Sequence, residues 1–226
     1  DDMGLGKTVQ ALALLLLRQS AGPALVVAPA SVGINWMREA NRFAPDLKMH
    51  SYRGANRAEI LDGLGASDVI VTSWELMARD IETLSGIVFS TAVLDEAQAI
   101  KNPAAARSLA STRIDAGFVL ALTGTPVENR VGELWSLMRT AVPGLLGSAD
   151  QFRDQFGGPH RRGPLSRLLR PFLLRRLKED VAKELPPLTE VDLRIELSHD
   201  ERERYEDFRT GAIEELENTR GTRDPR

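Results

Sequence analysis

The chain has 226 residues, enough for one large domain or two small ones. Apolar residues make up 42% and charged residues 27%, a globular composition that excludes a mostly disordered, collagen-like or coiled-coil chain. Its 29 basic and 32 acidic residues leave a net charge of -3, so any attraction to polyanions must come from local patches rather than from the whole.

Short runs rich in apolar and β-branched residues alternate with longer segments of helical period. In chain order the pattern predicts a helix over 6–20, a strand over 24–28, a helix over 32–43 and a strand over 48–52. A helix over 57–64, strands over 68–72 and 91–94, a helix over 104–111, a strand over 118–122 and a helix over 132–141 follow. Repeated strand–helix units of this kind build an α/β fold with a mostly parallel sheet. The strands read as almost wholly apolar because helices cover both faces of such a sheet.

After Pro143 the strand signal lapses. From Arg153 to Lys178 the basic side chains face a single acid, Asp154, and the stretch reads as a helical insertion over 143–187 closed by Pro186 and Pro187. Arg175 and Arg176 are adjacent and so cannot share one helix face, which favours a solvated surface over a nucleic-acid contact for this run. Residues 190–197 alternate like a strand, 200–217 carry helical spacing at Tyr205, Phe208, Ile213 and Leu216, and the polar tail 218–226 is expected to fray. The expected division is therefore 1–142, 143–187 and 188–226.

Cysteine is absent, which removes disulfides and thiolate metal sites and suits a reducing cytoplasm. His50, His160 and His199 are too far apart in sequence to suggest a local ligand cluster. The longest apolar run, 11–17, is far short of the roughly 20 residues a membrane-spanning helix needs, so no membrane partner is expected.

Three segments carry chemistry. Gly4, Leu5, Gly6, Lys7 and Thr8 open a helical pattern, where free backbone N–H groups and the positive helix end attract anions. Lys7 would reach the β and γ phosphates as a point charge, and the Thr8 hydroxyl would take a coordination position on magnesium. Asp1 stands where the general phosphate-loop pattern has glycine, so the strict match fails and a glycine-capped helix start is the competing reading.

Ala92, Val93 and Leu94 run into the adjacent acids Asp95 and Glu96. At the carboxyl end of a parallel strand such acids project into the crevice where these sheets bind ligands. Asp95 would hold magnesium, and Glu96 would orient or deprotonate the water attacking a γ phosphate. Thr123, Gly124 and Thr125 follow a further apolar run and offer two hydroxyls on a tight turn at the same sheet edge; a strand-ending turn is the competing reading, and the position after the loop and the acid pair points to a nucleotide triphosphate site.

These segments resemble the ordered motifs of Swi/Snf-type ATPases, within the second helicase superfamily. The matching stretches are GLGKT at 4–8, APAS at 28–31, TSWEL at 72–76, LDEAQAIKN at 94–102, LTGTPVENR at 122–130 and LLRRLKEDVAKELPP at 173–187. The last is the most diagnostic, since generic helicases lack it. The resemblance implies the first of two RecA-like lobes, a P-loop NTPase lobe with a helical insertion, hydrolysing ATP with magnesium to move along double-stranded DNA. By the same resemblance Pro29, Ala30, Ser31, Thr72 and Ser73 would contact the sugar–phosphate backbone, with helix capping an equal alternative for Ser31 and Ser73.

Gln98 stands where the family commonly has histidine; it would still link the γ phosphate to the turn at Thr123, Gly124 and Thr125. Trp36 and Trp74 are expected to pack against the sheet. The family's second lobe supplies arginine fingers worth about 10³ to 10⁵ in turnover, so this lobe by itself is expected to hydrolyse ATP hardly at all. The strand that precedes the phosphate loop in the family would leave the sheet one strand short here. Partners implied are the second lobe and double-stranded DNA, with DNA-bound protein or RNA polymerase as cargo. The expected location is the cytoplasm, on the nucleoid in a bacterium, or the nucleus in a eukaryote. A strand-separating helicase and a non-catalytic interaction module are the alternatives.

Overall fold

The computed structural model describes residues 1–124, 131–158, 162–181, 183 and 195–221. By contacts the chain divides into two units, Asp1–Lys183 and Glu184–Arg226.

The first unit opens with helix α1 (Lys7–Arg18), followed by β1 (Ala24–Ala28), α2 (Gly33–Phe43), β2 (Lys48–Ser51) and β3 (Asp68–Ser73). Helices α3 (Trp74–Arg79) and α4 (Ile81–Leu84) lead to β4 (Val88–Phe89) and β5 (Thr91–Leu94). Helix α5 (Ala106–Ser111), strands β6 (Asp115–Ala116) and β7 (Val119–Ala121), and helix α6 (Val131–Ala141) complete the sheet region. Helices α7 (Ala149–Phe156), α8 (Arg162–Leu169) and α9 (Lys178–Val181) follow.

Five strands form one sheet in the order β2-β3-β1-β5-β7, and every pairing is parallel. The expected α/β class is therefore present. The alternation of strand side chains explains the two-sided core. Val26 and Ala28 of β1, with Val69, Val71 and Val93, pack on Ala11, Leu12 and Leu15 of α1 and on Trp36 and Ala40 of α2. Leu25 and Val27, pointing the other way, meet Ile70, Leu94, Trp74 and Met77. Every residue of β1 is buried and apolar, as helices covering both faces of a central strand favour.

A third cluster lies beyond the sheet, where Leu134, Trp135 and Met138 of α6 pack with Phe152 of α7 and Leu165 and Leu169 of α8. Ser148 caps α7 by accepting from the Gln151 backbone while the Gln151 side chain accepts from the Ser148 backbone.

Several sequence expectations are corrected. The helix expected over 57–64 is only a 3-10 turn at Arg57–Leu61. It stops where Gly63 and then Ser67 turn into the left-handed region, at φ of 74° and 69°. Helices α3 and α4, too short to show a period, and the two-residue parallel pair β4·β6 had no sequence signal. In the second unit, residues 195–198 form no strand, while the expected helix is present as α10 (His199–Gly221). Pro186, Pro187, residues 190–194 and the end of the tail, 222–226, lie outside the described residues.

Candidate active site

Because all five strands run the same way, their carboxyl ends share one edge. That edge collects the loop after β1, the end of β3, the acid pair after β5 and the turn after β7. It is the edge at which open parallel sheets bind ligands.

The phosphate loop meets this edge from α1. Gly4 and Gly6 have φ of +82° and +73°, a left-handed backbone that side-chain-bearing residues rarely adopt. Gly6 is the N-cap of α1 and offers no side chain to its free N–H groups, which leaves them to an anion. The Lys7 ammonium donates to the backbone carbonyls of Asp1 and Asp2 at 3.1 and 3.0 Å. Gly124 comes close enough that a Cβ there would lie 3.9 Å from Lys7 Nζ.

A cleft of about 590 Å³ is lined by Gly4, Gly6, Lys7 and Thr8 on one side and by Asp95 and Glu96 on the other. The structure thus brings together the two halves of the site read from sequence. Asp95 is 7% exposed. Its Oδ2 accepts from the Trp36 indole at 2.9 Å, its Oδ1 from the Glu96 backbone N–H at 3.0 Å, and its carbonyl from the Trp74 indole at 3.0 Å. Burial, with a smaller push from the Glu96 charge, raises the Asp95 carboxyl above the usual carboxylate range, against the pull of the hydrogen bonds from the Trp36 indole and the Glu96 backbone N–H and of the Lys7 charge. A buried carboxylate short of positive charge is a site prepared for a cation.

Among the described residues no group of three or more histidine or acidic side chains forms a closed metal cage. Magnesium is ordinarily held by one or two protein oxygens together with phosphate oxygens and water. The Thr8 hydroxyl and the Asp95 carboxylate, hard donors on one cleft, fit that requirement.

Glu96 has φ of 49°, one of two residues other than glycine with positive φ among those described. This conformation carries strain of about 1–3 kcal/mol and turns the chain sharply after β5. Gln98 donates from Nε2 to Glu96 Oε2 at 2.7 Å, and its Oε1 accepts from the Thr123 hydroxyl at 2.7 Å. The backbone reinforces the link, since Ala97 N–H donates to the Leu122 carbonyl at 2.8 Å. Thr125 lies outside the described residues.

The expected nucleic-acid contacts divide. Ala30 and Ser31 are exposed and Pro29 half-buried, on a loop whose Ala30 carbonyl accepts from Arg53 at 2.6 Å. Ser31 does not cap α2; Val32 takes the N-cap position. Ser73 does cap α3, accepting from the Leu76 N–H, and is 5% exposed. Thr72 is 3% exposed, with a buried hydroxyl that has no hydrogen-bond partner. In this conformation neither Thr72 nor Ser73 presents a hydroxyl to a ligand, because the inward register of β3 takes the first and the helix cap takes the second.

Trp36 and Trp74 are buried as expected, but both also hold Asp95, a role that packing preference alone does not reveal. Arg176 departs from the solvated surface expected of its run. Residues 173–177 are not helical, so the helix-face argument does not apply to them, and Arg176 is half-buried against Asp1.

The family model of the SNF2-related domain matches residues 1–224. An uncharacterized ATP-dependent helicase of Mycoplasma genitalium is 36% identical over 225 residues, covering 96% of this chain and 22% of that protein. The chromatin-remodeling ATPase INO80 of Cryptococcus neoformans is 36% identical over 239 residues, covering 92% of this chain and 14% of that protein. The Sulfolobus solfataricus SWI2/SNF2 ATPase core, solved in complex with double-stranded DNA, superposes with a TM-score of 0.74 at 36% identity. That match covers 82% of this chain and 41% of the Sulfolobus chain. The chain thus spans less than a quarter of the length of these two relatives.

Proposed function

Since the chain belongs to the SNF2-related domain family, whose fold is the RecA-like ATPase core, we propose that it is the ATP-binding lobe of a motor that translocates along double-stranded DNA. The observation that carries this reading is the single cleft shared by Lys7, Thr8, Asp95 and Glu96, although more than 80 residues separate the loop from the acids.

In this reading the loop N–H groups and Lys7 hold the β and γ phosphates. Thr8 and Asp95 hold magnesium, which when bound neutralises charge on the phosphate oxygens. Glu96 orients the attacking water and accepts its proton, yielding ADP and phosphate. Gln98 passes the state of Glu96 to the turn at Thr123, Gly124 and Thr125. Ala30 and Ser31, with Pro29 beside them, meet DNA phosphates, and Thr72 and Ser73 support that loop edge from below. A second lobe of the same protein completes the site with its arginine fingers. DNA-bound protein or RNA polymerase is the cargo such a motor would displace.

Translocation is favoured over strand separation by the 173–187 segment and by the likeness to a core solved on duplex DNA. The test uses the full-length protein on two substrates, a triplex and a forked duplex. ATP-dependent displacement of the third strand without separation of the fork supports the proposal. Separation of the fork contradicts it.

A further inference from the structure

The segment that follows α8 is the most distinctive stretch of the sequence, and the chemistry above leaves it without a role. In the structure it reaches the phosphate loop. The Asp1 carboxylate is 7% exposed, and Arg176 covers it. Asp1 Oδ1 accepts from the Arg176 backbone N–H at 3.0 Å and from its Nε at 3.1 Å, while Nη2 donates to Oδ2. The same Nη2 donates to Gln10 Oε1 at 2.7 Å, and Gln10 Nε2 donates to the Leu5 carbonyl at 2.8 Å. Asp2 is held on both sides, its N–H donating to the Arg176 carbonyl at 3.1 Å and its Oδ2 accepting from the Lys178 N–H at 3.0 Å.

Asp1 and Asp2 are also the residues whose carbonyls receive the Lys7 ammonium. One face of the loop therefore orients the phosphate-binding lysine, and the opposite side is gripped by Arg176. The fork geometry matters, because a planar guanidinium fixes a carboxylate in both position and angle whereas an ammonium fixes only distance. The Lys178 side chain adds to the grip, with Cε and Nζ both 3.3 Å from where a Cβ on Gly4 would stand.

We propose that Arg176 is a positioning residue of the phosphate loop, holding Asp1 and Gln10 so that the loop keeps Lys7 in place for nucleotide. The inference rests on the nucleotide-binding reading of the loop. It gives the segment after α8 a direct route to the nucleotide, so whatever moves that segment changes affinity for ATP.

The test measures the dissociation constant of a fluorescent ATP analogue with magnesium, and KM and kcat for ATP, in the full-length protein. The variants are Arg176→Gln, Arg176→Lys, Asp1→Asn, the double Asp1→Asn with Arg176→Gln, and Lys7→Ala as reference. Arg176→Gln and Asp1→Asn are each expected to raise the dissociation constant and KM about tenfold, the scale of a charge-assisted hydrogen bond, with kcat nearly unchanged. The double variant should lose no more than the worse single, because both remove one interaction. Arg176→Lys should recover part of the loss.

Wild-type affinity in Arg176→Gln, or losses that multiply in the double variant, overturns the proposal. A lowered melting temperature with KM unchanged marks a purely structural anchor and does the same. If Arg176→Gln fails to fold, Asp1→Asn and Arg176→Lys decide by the same criteria. Wild-type nucleotide affinity in Lys7→Ala would instead refute the nucleotide reading of the loop itself, which keeps the two failures distinct.

Discussion

Gln98 Nε2 lies 2.7 Å from Glu96 Oε2, so a neutral amide donates to the proposed catalytic carboxylate. The opposite end of the same amide accepts from Thr123. An amide can donate and accept at once without titrating, so Gln98 joins Glu96 to Thr123 without a proton of its own to gain or lose.

Replacing Gln98 with Glu places a like charge against Glu96 and removes the donor. DNA-stimulated hydrolysis is expected to fall about 10- to 100-fold, as for loss of a hydrogen bond to a charged group, with nucleotide affinity retained. Steady-state kinetics beside equilibrium nucleotide binding checks this; parallel loss of affinity would mean that Gln98 shapes the pocket rather than the relay.

Glu96→Gln keeps the size of the side chain but removes the proposed base. The expected drop in kcat is about 10²- to 10⁴-fold, with magnesium nucleotide still bound. Single-turnover hydrolysis of bound ATP reads this directly, and a normal single-turnover rate would transfer the role to another group.

Asp95 carries a pH signature. Burial raises its carboxyl, so the folded protein retains this proton at pH values where an unfolded chain, with aspartates titrating near ~3.9, has released it. Its contribution therefore turns unfavourable as pH rises from about 4 through the raised value. The melting temperature of Asp95→Asn relative to wild type should shift in favour of the variant as pH rises from about 4 through the raised value, while magnesium-dependent nucleotide binding is lost. A difference constant across that range would show that the carboxylate is not strained by burial.

Thr72 has a buried hydroxyl with no partner, and Thr72→Val removes that group at nearly constant shape. Thermal stability should stay level or rise by about 1 kcal/mol in unfolding free energy, and DNA affinity should not change. Ser31→Ala, altering an exposed hydroxyl, should weaken DNA binding slightly and uniformly across sequences. Binding isotherms at several salt concentrations, alongside denaturant unfolding, separate the two.

What was legible in the sequence follows from range. The strand β1 shows in the sequence as an unbroken apolar run, β3 and β5 show through their apolar stretches at 69–71 and 92–94, and α1 and α2 show because each is long enough to reveal a period. Helices α3 and α4 are too short for a period, and the 3-10 turn at Arg57–Leu61 keeps a helical composition while glycines cut it off. Residues 4–8 and 95–96 were readable because each is a local pattern. The grip of Arg176 on Asp1 joins residues 175 positions apart, and no local pattern encodes such a pairing. The same holds for the two indoles on Asp95, which look like ordinary core until the strands place them.

The most direct measurement is the rate of ATP hydrolysis by the full-length protein, with and without duplex DNA, for wild type and Lys7→Ala. Hydrolysis stimulated by duplex DNA in the wild type and abolished in the variant is the expected result. Equal hydrolysis by the two proteins, or none by the wild type with DNA present, would contradict the account.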